Sequence, residues 1–553
     1  MERRDFLKTA AMATGGAALP GYLNQAKAAG QNGASGDRPN IIWLYADDHA
    51  VQALSAYGGR LAELAPTPNL DRLASQGMLF QESCVANSIC APGRACVLTG
   101  KHSHKNGIKT NRHSGFKFNQ PTFPAMLREN GYTTALFGKW HLKSLPQGFD
   151  DYAVLPGQGR YYNPVFRTKT ENGAKRSVVN GHTTRVIMDK TLEYLQGQQD
   201  ADKPFLMMCQ FKAPHRTWIP ALHLLDLYED TVFPEPATLY DDYRGRGKAV
   251  TQQEMEILTH MGLEHDLKRN PEKYRRAMRV MNDKQKKAFI DHYKKRWTEY
   301  DELNLAEADD DTLLRWKYQK YLEDYLACIR GIDEQVGRLL DYLDKTGMSR
   351  NTVVCYSSDQ GFYLGEHGWF DKRWMYEESF KTPLIVRWPG VTPAGSEASD
   401  IVQSIDMAPT FLDIAGVYIP DSMQGVSITP LLQGRSPKNW RDSVYYHYYE
   451  SKGPHKVAKH EGVYNGRYKL MHFYEAGYWE FYDLQRDPHE IRSAYDDPQY
   501  ASEVKMMKKE LQALKKKYDA PPVPAASKDK GTQKDQGGSK KATSSNKTEE
   551  SKK

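Results

Sequence analysis

The sequence predicts an α/β fold with a largely parallel central sheet flanked by helices, followed by a smaller α+β unit. Three observations lead there. Apolar runs bounded by polar residues recur at 41–46, 133–137, 205–211, 353–358 and 384–388. Helix-favouring patterns separate them at 69–76, 122–130 and 316–345. After about residue 430 the pattern changes to short alternating segments. Strands interleaved with helices point to a sheet covered on both faces. With 553 residues, the chain also exceeds the roughly 250–300 that one core serves.

Each segment has its own reason. Residues 1–28 hold Arg3-Arg4, then Phe6-Leu7-Lys8, a small and apolar stretch, and Ala26-Lys27-Ala28. They resemble a bacterial twin-arginine signal, which implies export of an already folded protein to the periplasm or beyond. The run 41–46 is continuously apolar, as a strand buried on both faces must be, and 133–137 and 205–211 read the same way. Residues 221–315 are charged and helix-favouring without clear strands, so a helical insertion is expected inside an α/β domain of 29–430. Within 431–520, the segments 444–449, 462–465, 468–474 and 479–482 read as antiparallel strands and 503–518 as a helix covering them. Residues 521–553 have almost no large apolar side chains and are expected to be disordered.

Charge excludes a partner class. Lys and Arg number 76 against 69 Asp and Glu, a net +7. Residues 527–553 carry +4 of it and 1–28 carry +2, which leaves the body at +1. A nucleic-acid binder carries its charge on a folded face, so no nucleic acid is expected. No apolar stretch is long enough to span a membrane. Six Cys do not make a disulfide scaffold.

Ligands of open α/β sheets bind outside the carboxyl ends of the strands. Asp47, Asp48 and His49 follow the first run, and Lys139 and His141 follow the second within Gly138-Lys139-Trp140-His141. Lys212 and His215 follow the third, and Asp359 and Gln360 the fourth. Three carboxylates and an amide are hard oxygen ligands that suit Ca²⁺ or Mg²⁺. Between them, 88–100 reads as a turn into a short helix, with Pro92 at its start and Gly100 at its C-cap. Cys90 sits at the N-terminus, where free amides favour an anion, and Arg94 lies one turn on.

Cys90-x-Pro92-x-Arg94 followed by Leu98-Thr99-Gly100 resembles the signature of type I sulfatases. Asp47-Asp48, Gly138-Lys139-Trp140-His141, His215 and Ser358-Asp359-Gln360-Gly361 match in order. Gly93 departs from the usual Ser, and Gln360 from the usual Asn.

The resemblance implies an alkaline-phosphatase-like fold and a sulfuric ester hydrolase. It implies one Ca²⁺ held by Asp47, Asp48, Asp359, Gln360 and residue 90. It also implies conversion of Cys90 to formylglycine by a formylglycine-generating enzyme, the hydrate being the nucleophile. Asp359 would accept a proton and Arg94 would hold the hydrate. Lys139 and Lys372 would bind sulfate oxygens, His215 would protonate the leaving alcohol, and His141 would act as a base.

The run 359–373 and the tract 445–450 look closest to bacterial N-acetylglucosamine-6-sulfatase-like enzymes, which makes a sulfated carbohydrate the expected substrate. Lys101, Asp371, Arg373 and His447 are further candidates for substrate contact. Other sulfated glycans stay open. So do a metal-dependent phosphodiesterase or phosphonate hydrolase on the same fold, and an exported sugar-binding protein that keeps its thiol.

Overall fold

The computed structural model describes residues 38–524, Lys452 excepted. The targeting reading of 1–28, and the tail reading beyond residue 524, lie outside the described residues. No helix among those described is long and apolar enough to cross a membrane.

A ten-stranded sheet organises the chain. From edge to edge it runs Ser396–Ala398, Met78–Phe80, Leu384–Arg387, Thr352–Ser358, Asn40–Asp47, Phe205–Pro214, Thr133–Lys139, Asp151–Leu155, Val165–Thr170 and Gly173–Val178. The five strands from Thr352–Ser358 to Asp151–Leu155 are mutually parallel. Leu384–Arg387 runs antiparallel to its neighbours, as does the hairpin at the far edge, so the sheet is mixed. That hairpin escapes the sequence because Lys169, Lys175 and Arg176 interrupt it, as suits a solvated edge strand.

The central strand shows why the runs are continuously apolar. Ile42, Leu44 and Ala46 enter the core on one face, and Ile41, Trp43 and Tyr45 the core on the other. One face is covered by the 37-residue helix Asp310–Thr346, which starts where Asp309 accepts from the Thr312 amide and ends on Gly347 at φ +75°. Its Gly337 lies against Asn69, where a Cβ would come within 2.5 Å of the Asn69 side chain. The expected insertion 221–315 holds turns, short helices and the helix Asp283–Glu302, with a capping box between Asn282 and Gln285, and its last residues already belong to Asp310–Thr346.

Val444–Tyr448, His460–Tyr464, Tyr468–Phe473 and Tyr478–Asp483 form an antiparallel meander. Alternation gives it two apolar faces. Tyr445, Val463, Leu470 and Phe481 pack under the helix Ala501–Lys517 through Met507 and Leu511. Tyr446, Tyr448, Tyr464 and Met471 pack against Trp369, Trp374 and Phe380 of the larger unit.

Candidate active site

Four strand ends and one helix start build the site. Asp47 closes Asn40–Asp47, Lys139 closes Thr133–Lys139, and Asp359 and Gln360 follow Thr352–Ser358. His215 follows Phe205–Pro214. These strands are contiguous and parallel, so their carboxyl ends face the same way. The Cys90–Thr99 helix begins above them behind the extended Ile89. Gly93 permits its approach, since a Cβ there would sit 3.0 Å from the Asp359 carbonyl.

Carboxylate oxygens of Asp47, Asp48 and Asp359 lie within 4.8 Å of one another, and so do ligand atoms of Asp47, Cys90 and His215. Arg94 Nε donates to Asp359 Oδ2 at 3.1 Å, while Nη1 donates to Gln210 Oε1 at 2.7 Å and to the Lys139 carbonyl at 3.1 Å. Lys139 pairs with Asp47, and Lys372 Nζ donates to Asp48 Oδ2 at 2.6 Å. His215 Nε2 lies 3.8 Å from Asp48 Oδ2. The Gln360 amide donates to Asp48 and reaches Cys90 Sγ at 3.8 Å.

Three buried carboxylates thus face three buried cations. Burial pushes the Asp359 carboxyl well up, with Asp47 adding to the shift against Arg94. Burial also raises Asp48, in spite of Lys372. Asp47 is the exception: burial opposes it, but Lys139, His215 and Arg94 hold it well below the usual range. Burial pushes the Cys90 thiol up to about 12, although Lys139 and Lys372 pull the other way. A neutral thiol so buried is a poor nucleophile. Burial, then Lys139, holds both His215 and His141 well below the ordinary imidazole range.

A divalent cation fits this donor set. Asp47 Oδ1 and Gln360 Oε1 are buried without a hydrogen-bond partner. Buried oxygens left unpaired are costly, and carboxylate and amide oxygens are the donors that a hard divalent ion takes.

A second polar group adjoins Lys372. Asp371 Oδ1 accepts from Arg373 Nε at 2.8 Å, and Asp371 Oδ2 lies 3.4 Å from His455 Nε2. Arg373 also reaches the Tyr448 hydroxyl at 3.4 Å. Asp48, His141, Asp371, Arg373 and His455 all hold left-handed backbone, at φ 71°, 58°, 79°, 98° and 73°. Such strain collects at functional sites.

Other candidates lie elsewhere. Lys101 follows the far end of the ten-residue helix from Cys90, about 15 Å along its axis. His447 belongs to the meander, between the Tyr445 and Tyr474 hydroxyls and stacked on Tyr449 at 3.6 Å. His49 bonds to Tyr356, away from the carboxylates. Sequence reasoning missed Gln210, whose one signal was a polar residue inside an apolar run. It also missed Asn111, which accepts from the Ala91 amide at 3.0 Å.

The sulfatase family profile matches residues 39–417. A second profile, "N-sulphoglucosamine sulphohydrolase, C-terminal", matches residues 365–517. An N-acetylglucosamine-6-O-sulfatase of Bacteroides thetaiotaomicron is 45% identical over 500 residues, 87% of each chain. The human N-acetylglucosamine-6-sulfatase is 28% identical over 438 residues, 74% of this chain and 67% of that one. The solved structure of BT4656 in complex with its substrate D-glucosamine-2-N,6-O-disulfate superposes with a TM-score of 0.83 at 43% identity. It covers 87% of this chain and 98% of its own.

Proposed function

Because the chain belongs to the sulfatase family of sulfuric ester hydrolases, we propose that it removes the 6-O-sulfate of N-acetylglucosamine or a related glucosamine in a sulfated carbohydrate. One observation carries this reading: Cys90 stands with three carboxylates, Lys139, Lys372 and His215 in one buried pocket. The 45% identity with an N-acetylglucosamine-6-O-sulfatase supports the sugar.

In this reading Asp47, Asp48, Asp359, Gln360 and residue 90 hold one Ca²⁺, and Cys90 is converted to formylglycine by a formylglycine-generating enzyme. When bound, the ion polarises sulfate oxygens, and the formylglycine hydrate supplies an oxygen nucleophile that the buried thiol cannot. Lys139 and Lys372 neutralise the sulfate and stabilise charge developing on it. Arg94 fixes Asp359 as a proton acceptor. His141, with its buried Nδ1 unpartnered, serves as a base toward residue 90. His215 gives a proton to the leaving alcohol. Its imidazole is neutral in the free pocket, and the incoming sulfate anion raises its affinity for that proton. Asp371, Arg373 and His455 bind sugar hydroxyls beside Lys372. The twin-arginine-like pattern of residues 1–28 supports export to the periplasm or beyond.

Two measurements test this. Mass spectrometry of the peptide spanning residues 88–94, from protein made in its native host, is expected to show aldehyde in place of thiol. A panel of sulfated monosaccharides is expected to give the highest kcat/KM on 6-sulfated glucosamines. Retained sulfur at position 90, or preference for a uronate 2-sulfate, overturns the corresponding part.

A further inference from the structure

The sheet edge that carries the catalytic groups continues past His141. Across the sheet, the ends of Thr352–Ser358 and Asn40–Asp47 bear the acidic groups, Phe205–Pro214 leads to His215, and Thr133–Lys139 leads to His141. The next strand, Asp151–Leu155, is parallel to these. A cavity of about 210 Å³ opens at its carboxyl end, lined by Trp140, His141, Lys143, Leu155, Pro156 and Arg167. His141 therefore belongs to both spaces: it walls this cavity, and it lies close enough to Lys139, Asp47 and Arg94 for their charges to act on its ring.

The cavity is on the side of the sheet that carries the catalytic helix. Trp140, Leu142 and Val154 share a core with Ala91 and Ala95 of the Cys90–Thr99 helix. Arg167 pairs in register with Val154, and directly opposed residues of neighbouring strands point to the same face.

The cavity is also basic. No Asp or Glu lines it. Lys143 donates to the His113 carbonyl, and neither Lys143 nor Arg167 makes an ion pair among the described residues. Arg167 stands directly across the edge hairpin from Arg176, and like charges so placed repel. Lys143 holds left-handed backbone at φ 62°, a costly conformation of the kind that collects at functional sites. A bound anion relieves the repulsion, and the guanidinium fork matches the paired oxygens of a carboxylate or sulfate.

We propose that Arg167 and Lys143 form an anion subsite beside His141, which holds a carboxylate or sulfate on the sugar next to the one being desulfated. Neighbouring strands lie about 4.8 Å apart, so the subsite stands about 10 Å along the edge from the strand that leads to His215, the donor to the leaving alcohol. A glycan whose 6-sulfated unit lies between the acidic strand ends and His215 reaches the subsite with its next unit. The preferred substrate is then an acidic oligosaccharide rather than a single sulfated sugar. The inference rests on the sulfatase reading above.

The test uses two variants. R167Q alters a half-buried side chain on an edge strand, and K143N keeps a residue that tolerates left-handed backbone. The substrates are the 6-sulfated monosaccharide and disaccharides that join it, in both linkage orders, to a uronate, a sulfated hexose or a neutral hexose. Release of the 6-sulfate is read. The unaltered enzyme is expected to prefer the uronate or the sulfated-hexose disaccharide, and each variant to lose five- to tenfold in kcat/KM on whichever it prefers. Less than twofold loss is expected on the neutral disaccharide and the monosaccharide. Added salt should narrow the preference for the acidic disaccharide. An unaltered enzyme without that preference, equal losses on all substrates, or no loss on any overturns the subsite. An unaltered enzyme inert on every sulfate ester sinks the sulfatase reading instead. Calorimetric binding of the desulfated acidic disaccharides then tests the subsite by itself, and equal Kd for R167Q and the unaltered protein, or no binding to either, overturns it.

Discussion

His215 is the residue on which discrimination between leaving groups turns. Its Nε2 stands 3.8 Å from Asp48 and its Nδ1 lies 2.6 Å from the Arg216 carbonyl, so the ring is held rather than free. A proton donor matters most when the departing oxygen is a strong base, and general acids contribute roughly 10²–10⁴-fold. His215→Ala is therefore expected to lose about 100-fold in kcat on a sugar sulfate and less than tenfold on a nitrophenyl sulfate. Equal loss on both would remove the assignment. At this scale much of the site is readable without a structure, because Asp47, Lys139 and Asp359 each end an apolar run. Asp371 and His455 are different. They lie in separate units and meet only when the meander docks.

Among the elements, the Thr133–Lys139 strand sets the tightest constraint. Gly138 pairs in register with Gln210, and its φ is +111°. A Cβ there would sit 1.8 Å from the Gln210 carbonyl, inside a sheet where neither strand can retreat. Gly138→Ala should cost on the order of 3 kcal/mol or more, from left-handed strain and overlap together. It should also displace Lys139 and His141. Gly93→Ala meets only a 3.0 Å contact to the Asp359 carbonyl and should cost much less. Urea midpoints for the two variants check the order, and a Gly138→Ala protein as stable as the parent would contradict the packing described. Gly138 was visible in the sequence as part of a motif, but the reason for it was not, since Gln210 lies 72 positions away.

Across the whole molecule, the two units are joined through His460. It is fully buried, with ring centroids 5.6 Å from Trp374 of the larger unit and 5.5 Å from Tyr446 of the meander. Burial pulls its imidazole down to about 4, against the support of its bond to the Ala458 carbonyl. The unfolded chain binds this proton near pH 6.5. Between those values the unfolded state holds more protons, so stability is full above pH 6.5 and falls as pH drops towards 4. At pH 5 the loss from this one residue is ~2 kcal/mol. His460→Phe keeps an aromatic ring in the slot. The difference in unfolding free energy between pH 7.5 and 5 should then be ~2 kcal/mol smaller in the variant. Parallel pH profiles for the two proteins would show that the junction is not the proton-sensitive element.

The sequence by itself determined the α/β class, the helix that starts at Cys90 and the acidic strand ends, because apolar periodicity and turn chemistry are local properties. The tertiary structure decided what local patterns cannot carry. It set the antiparallel course of Leu384–Arg387 and the edge hairpin, since strand direction depends on what each strand meets in space. It set Lys101 beyond the far end of the Cys90–Thr99 helix, gave His447 tyrosine neighbours in the meander, and brought Gln210 to Arg94 and His455 to Asp371. Proximity to a site is set by which surfaces bury each other, and a position in the chain does not encode that.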